Sequence, residues 1–304
     1  MANPSPPAAE PPIEKVRWSH RFEGWLAGVA FGAVGLLPLD RASALGGALA
    51  RLIGPHFGVT KRARINLRTA LPELSNAEIE TIIRRMWDNL GRVMFEYPHL
   101  RKIQCFGPES RVEILGVEHI DRSIAAGRQI ILVAGHLGNW EIAPLAAEQH
   151  DMRVAHVYRA ANNPVVDRLI ARMRPGLLTE FMPKGSLASR RAVAAVREGM
   201  HLGMLVDQKL NDGIPVRFFG RDAMTAPALA RLAQRYDLDI IPVRGERLKG
   251  AWFRLTVHPK VELPNSGDRN TDVVAIMERV NLILETWIRD RPEQWLWLHR
   301  RWPD

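Results

Sequence analysis

Apolar residues fall into blocks of different spacing along the chain. From Trp25 to Leu39 (WLAGVAFGAVGLLPL) no residue is charged. These fifteen residues fall short of the roughly 20 that a bilayer-spanning helix needs. Two readings stand: a short membrane-inserted or interfacial helix, or a helix buried in a soluble core. Gly28, Gly32 and Gly35 favour membrane contact, since glycine is commoner in membrane helices than in soluble ones. Next, TKRARINLRTAL sets Ile65, Leu67 and Leu71 among basic residues. Ser75 and Glu78 fit a capping box, opening a helix through Ile79, Ile82, Ile83, Met86 and Leu90.

Beyond about residue 112 short apolar runs alternate with helical patterns. VEILG, QIILVAG, MRVAHVYR, HLGMLVDQ, DIIPVRGER and FRLTVHPKVEL read as strands. HIDRSIAAG, PVVDRLIARMR and SRRAVAAVREG read as helices, and residues 271–290 form an amphipathic one through Val274, Met277, Val280, Ile283, Leu284 and Trp287. The alternation predicts a single α/β domain with a mixed, largely parallel central sheet flanked by helices. An apolar, membrane-associated helical segment is expected to precede it. The expected boundaries are a disordered leader over 1–20, beginning with the Pro- and Ala-rich MANPSPPAAEPP, the apolar segment over 21–58, and the α/β domain over 59–304.

Charge changes this picture. The 304 residues carry 42 Lys and Arg against 33 Asp and Glu, a net charge of +9. Residues 41–104 alone contribute +6, directly after the apolar segment. That order suits a helix seated on anionic headgroups, or a surface for an acidic protein, as well as a plain solvated face. Net charge alone would also admit a nucleic-acid binder, but no zinc finger, RNA-recognition signature or helix-turn-helix pattern supports one. The single cysteine, Cys105, excludes an intrachain disulfide and fits a reducing compartment.

The chemistry concentrates in AGHLGNWE, residues 134–141. Gly135 permits a turn at the end of the strand IILVA, the edge where open α/β sheets hold ligands. His136 then projects into the crevice, and Gly138 allows close backbone approach. Asn139 caps the following helix, and Glu141 in its first turn is expected to reach back toward His136. Pro144 predicts a kink or a late helix start. A histidine beside a carboxylate is an oriented base. There is no G-x-S-x-G elbow, and Cys105 is remote in sequence from the histidine. The nucleophile therefore arrives with the substrate: an acceptor hydroxyl, deprotonated by His136, that attacks an activated acyl group. A His and a Glu five apart also occur often by chance, so the spacing alone does not decide for a catalytic pair; a metal site is a weaker reading, since no HExxH or cysteine pair is present.

GHLGNWE resembles the H-x4-D/E block of glycerolipid-type acyltransferases, in the form typical of the bacterial lipid A late acyltransferases. INLRTALPELS, VYRAANNPVVD, LVDQKLNDGIPVRFFGRDAMTAPALA and RPEQWLWLHRRWP extend the resemblance, in order, over roughly residues 20–302. It implies His136 and Glu141 as the catalytic pair, with no cofactor and no metal. It also implies an α/β domain on the cytoplasmic face of the inner membrane, passing a fatty acyl group from acyl carrier protein to a hydroxyl of an anionic lipid A precursor. Membrane lipids are then partners and nucleic acid is not. Another glycolipid or aminolipid acceptor, or acyl-CoA as donor, keeps the same chemistry; an intact H-x4-E argues against a non-catalytic membrane protein.

Other candidates lie at strand ends and in loops. Arg159 could stabilise an oxyanion or hold a phosphate, and Asn162 and Asn163 follow it as turn residues or contacts. Asn139, Lys184, Asp207, Gln208 and Arg300 are candidates for binding substrate, with Asp207 equally able to orient Arg159. Arg301 is a second phosphate candidate. Phe218 and Phe219 suit an acyl tunnel or the core; Trp295, Trp297 and Trp302 suit the membrane interface or packing near the site.

Overall fold

The structure, a computed structural model, describes residues 17–158, 160–174, 179–183 and 186–302, without the side chains of 183 and 186–189. Helices α1 (Trp18–Gly35), α2 (Leu39–Ile53), α3 (Thr60–Ala70) and α4 (Asn76–Glu96) come first, followed by a 3-10 turn over Tyr97–Lys102. Strand and helix then alternate: β1 (Val112–Leu115), α5 (Glu118–Ala125), β2 (Ile130–Ala134), α6 (Ile142–Gln149), β3 (Val154–Tyr158), α7 (Pro164–Met173), β4 (Thr179–Pro183), α8 (Ser186–Arg197) and β5 (His201–Leu205). A hairpin of β6 (Ile214–Phe218) and β7 (Arg221–Thr225) leads to α9 (Ala228–Tyr236), β8 (Asp239–Lys249), β9 (Trp252–Val257) and α10 (Arg269–Asp290).

Seven strands form one sheet in the order β1-β9-β8-β2-β5-β3-β4. Only β8 and β9 pair antiparallel; every other pair in it is parallel. Strand β2 is central and buried on both sides, which is why it reads as an unbroken apolar run. Ile131 and Val133 face a core built with α3, α4, α8, α9, α10 and the C-terminal tryptophans. Ile130 and Leu132 face a second core built with α5 and α6.

The capping box at Ser75 and Glu78 is present and starts α4 as expected. Helix α2 lies along α4 through Ala42, Ser43, Gly46 and Gly47, small residues that let the backbones approach. The reading of the apolar segment as a buried core helix does not hold: in α1 only Gly24 and Val34 are buried, and Trp18, Phe22, Trp25, Leu26 and Val29 are exposed. Among the described residues no helix is long and apolar enough to cross a membrane.

Candidate active site

The chain leaves β2 at Ala134 and turns through residues 135–141 before α6 begins at Ile142. The helix start is delayed, and Pro144 falls in its first turn, where the missing N–H has no intrahelical acceptor to lose. Gly138 adopts φ +55°, and a Cβ there would lie 2.9 Å from the Gly245 carbonyl oxygen. The turn pairs with the C-terminal segment instead of a strand. Gly138 N donates to Gln294 O at 3.1 Å, and Leu296 N donates to His136 O at 3.2 Å.

The carboxylate that meets His136 is Asp207, not Glu141. The register explains it: Ala134 of β2 is opposite Leu205 of the parallel neighbour β5, so the residues two beyond each strand end emerge side by side. Asp207 Oδ1 lies 2.7 Å from His136 Nδ1, and Asp207 Oδ2 accepts the His136 backbone N–H, also at 2.7 Å. The indole N–H of Trp295 donates to the same Oδ2 at 2.7 Å. Asp207 is fully buried. Burial alone would raise its pKa, but the charge and hydrogen bonds of His136, with help from His299, hold it well below the usual carboxylate range. An ionised Asp207 only accepts, so Nδ1 of His136 carries the proton and Nε2 keeps its lone pair. The Gln208 amide nitrogen lies 3.4 Å from that Nε2.

Glu141 faces the other way and stands at the N-terminal boundary of α6, its side chain making no cap bond to the helix. It receives the Tyr97 hydroxyl at 2.6 Å and a two-pronged Arg174 guanidinium at 2.8 and 2.6 Å, all buried. Burial and then the adjacent Glu141 charge push the Tyr97 phenol well above its ordinary value, so it stays a donor. Burial works against the charge on Arg174, and Glu141 outweighs it. The guanidinium also stacks over Tyr158 and Phe181, 5.0 and 4.7 Å from the ring centres. Asn139 is buried with its amide engaged at both ends: Oδ1 accepts Glu141 N at 3.1 Å, and Nδ2 donates to Glu96 at 2.8 Å. Glu96 in turn holds Arg247 at 2.5 and 2.9 Å.

Beside this turn an apolar cleft, open at its mouth, runs under α6 on the face of Leu132. Trp140 joins the two: its ring meets His136 edge-on at 5.2 Å and also lines the cleft, as do Glu141 and Arg174. Ala143, Ala146 and Ala147 form a thin roof. Gly203 lets the ring of His156 lie across the sheet, for a Cβ there would be 2.1 Å from His156 Nδ1.

The remaining candidates are scattered. Arg159 and Lys184 lie outside the described residues. Asn163 is the N-cap of α7. Arg300 is exposed on the tail, whereas Arg301 is fully buried, donating to Thr225 Oγ1 at 2.9 Å and stacked on Phe218. Phe218 and Phe219 belong to the core opposite the cleft, together with Trp295, Trp297 and Trp302. Tyr97, Arg174, Glu96 and Arg247 went unnoticed in the sequence, being isolated polar residues in no spacing pattern. His136, Asp207 and His299 bring ligand-type atoms within 4.8 Å of one another. A cation there would have to displace the N–H donors already on Asp207.

Residues 13–304 match the family described as bacterial lipid A biosynthesis acyltransferase. The lipid A biosynthesis myristoyltransferase of Escherichia coli is 27% identical over 299 residues, 95% of this chain and 89% of that protein. The lauroyltransferase of the same organism is 27% identical over 91% of each chain. A phosphatidylinositol mannoside acyltransferase of Mycolicibacterium smegmatis is 23% identical over 63% of this chain and 62% of its own.

Proposed function

The chain belongs to the bacterial lipid A biosynthesis acyltransferase family, and from that premise we propose that it moves a fatty acyl group from acyl carrier protein to a hydroxyl of a lipid A precursor, with His136 as general base and Asp207 as its orienting carboxylate. The observation that carries this reading is the 2.7 Å contact of Asp207 with His136 Nδ1 beside the mouth of an apolar cleft. The cleft takes the acyl chain. Nε2 of His136 removes the acceptor hydroxyl proton, and the oxygen attacks the thioester carbonyl. The tetrahedral intermediate collapses, the C–S bond breaks, and the leaving thiolate takes the proton back from the imidazolium. The Gln208 amide, next to Nε2, suits stabilisation of the oxyanion. Direct attack needs no enzyme nucleophile, and Cys105 does not suit that role: it is buried, and burial pushes its thiol up to about 12. Glu141 acts through Arg174 and Tyr97, fixing the turn that presents His136.

The exposed apolar side chains of α1, α2 and the turn before α3, including Trp18, Trp25, Leu36, Leu52 and Phe57, support seating on the membrane surface where the glycolipid lies. Neighbouring Lys61, Arg62 and Arg68 suit anionic headgroups or the acidic carrier protein; Arg64 is tied to Glu80 at 2.6 Å. On the reading from family the site is on the cytoplasmic face of the inner membrane.

The test is a purified transfer assay with acyl carrier protein thioesters and a Kdo-bearing lipid A precursor, read by product mass. Wild type transfers one acyl group; His136→Ala with an unchanged melting temperature does not. Transfer by folded His136→Ala at more than a few per cent of wild type would sink the mechanism. Transfer to a phosphatidylinositol mannoside but not to the lipid A precursor would move the acceptor.

A further inference from the structure

The cleft has an end as well as a mouth, and its end is built. Ala155 of β3 and Ile131 of β2 both pair with Leu202 of β5. Met152, three residues before Ala155, therefore sits six residues below Ala134 along the strand direction. At about 3.3 Å per residue that is a depth of about 20 Å. Met152, His150 and Phe106 line the cleft at this lower edge, where α6 has run down antiparallel to β2. The rings of Phe106 and His150 stack with centres 5.5 Å apart and 19° between planes. His150 is fixed from outside by Asp121, 3.0 Å from its Nε2. The loop bearing Phe106 is fixed from α6: Gln149 Oε1 accepts Cys105 N at 2.8 Å, and Gln149 Nε2 donates to Ile103 O at 2.9 Å.

We propose that the stacked Phe106–His150 pair is the floor of the acyl channel and sets the longest chain the enzyme accepts. The inference rests on the reading of the cleft as the acyl site. An extended chain advances about 1.25 Å per carbon, so about 20 Å of channel holds about 16 carbons. A longer chain must displace a ring whose loop is pinned by two hydrogen bonds to Gln149, or fold back against the roof. Below that limit each added methylene exchanges water for apolar wall and raises kcat/KM about fourfold; beyond it the gain stops.

The experiment measures kcat/KM for saturated acyl carrier protein thioesters of 10 to 18 carbons, alongside equilibrium binding of free fatty acids of the same lengths, followed by thermal shift. Wild type gains no further efficiency beyond about 16 carbons. Phe106→Ala raises the ratio of the 18-carbon to the 14-carbon donor about 15-fold, the worth of two methylenes. Ala147→Leu, which thickens the roof near the floor, moves the optimum about two carbons shorter, and it carries the test should Phe106→Ala not fold. Length profiles unchanged within about twofold in both folded variants, where about 15-fold is expected, overturn the inference and leave the proposed function standing. Length-dependent binding that shifts in the variants, with no transfer from any donor by wild type, overturns the proposed function and keeps the channel floor.

Discussion

Replacing Asp207 by Asn keeps the side-chain volume and removes the charge at a fully buried position. Three N–H donors converge on the carboxylate at 2.7 Å: His136 N, His136 Nδ1 and Trp295 Nε1. An amide offers one oxygen, so at least one donor meets the new NH2. The least costly relief moves the His136 proton from Nδ1 to Nε2, so that Nδ1 accepts from Asn. Nε2 then has no lone pair for the acceptor hydroxyl, and the imidazolium formed during attack loses its counter-charge. The equivalent change in a Ser-His-Asp triad costs about 10⁴ in turnover, about 5.5 kcal/mol. A loss of about 10³- to 10⁴-fold in kcat is expected here, with KM for both substrates little changed because Asp207 touches neither. The assay is steady-state transfer with saturating donor and acceptor, paired with a melting curve. Folded Asp207→Asn retaining more than about a tenth of wild-type kcat, against a predicted loss of at least 10³, would refute Asp207 as the orienting group.

Glu141→Ala leaves the Arg174 guanidinium buried without its carboxylate, which should cost about 3–5 kcal/mol in urea denaturation, and Arg174→Met added to it should restore much of the loss; an unchanged midpoint in the single variant contradicts the scaffold role. Stability should also fall on mild acidification. Burial, then the charge of Arg174, pulls the His156 imidazole down to about 3, while the unfolded chain takes up that proton near pH 6.5. The contribution is whole above about pH 6.5 and lost as pH falls, with a slope approaching 1.4 kcal/mol per unit. Burial also lowers His99, His201 and His258 and adds the same sign, whereas the Asp207 contribution is lost only below about pH 4. Urea midpoints for His156→Gln should drop less than wild type between pH 7.5 and 5.5, and parallel curves would count against the buried neutral imidazole. Reversing Lys61, Arg62 and Arg68 to Glu should reduce binding to anionic lipid vesicles or raise KM for the donor, more at low salt than at high; no change in either quantity leaves these residues a solvated face.

The central strands β2 and β8 were legible because they are buried on both faces and so read as compact apolar runs. Strand β4, TEFMP, was not, since an edge strand carrying Glu180 and Pro183 has no such run. The β6–β7 hairpin was missed for a related reason: its polar positions face solvent, and its apolar ones owe their burial to α10 and to tryptophans more than 60 residues away. His136 was legible from a strand followed by glycine. Its partner was not. Asp207 was visible as a carboxylate just past another strand end, but pairing the two requires knowing that β5 lies beside β2, and sequence order cannot supply that when β3 and β4 intervene along the chain and lie beyond β5 in the sheet. Nearness in sequence favoured Glu141 instead, five residues away, and the turn at Gly138 carries that carboxylate to the cleft side.

The two glutamates around the turn then have a common logic. Residues 135–141 form no helix or strand pair of their own, yet the turn is buried, and its polar groups need partners. They come from separate parts of the chain: Asn89 Nδ2 on Gly138 O at 2.9 Å, Gln294 O on Gly138 N, and Glu96 on Asn139. Glu96 is held by Arg247, which also binds Asn89 at 2.8 Å. Buried ion pairs of this kind add little net stability over well-packed apolar residues, but they fix geometry, because any other arrangement strands a charge. A general base needs its nitrogen placed within about 0.5 Å of a productive position. The Glu96–Arg247 and Glu141–Arg174 pairs hold the turn on either side, one against α4 and the other against the cleft wall. On the proposed mechanism, the glutamate of H-x4-E serves the histidine without touching it: it ties the turn that carries His136 to Arg174 in the cleft wall, so that one rigid connection positions the proposed base and the proposed acyl site.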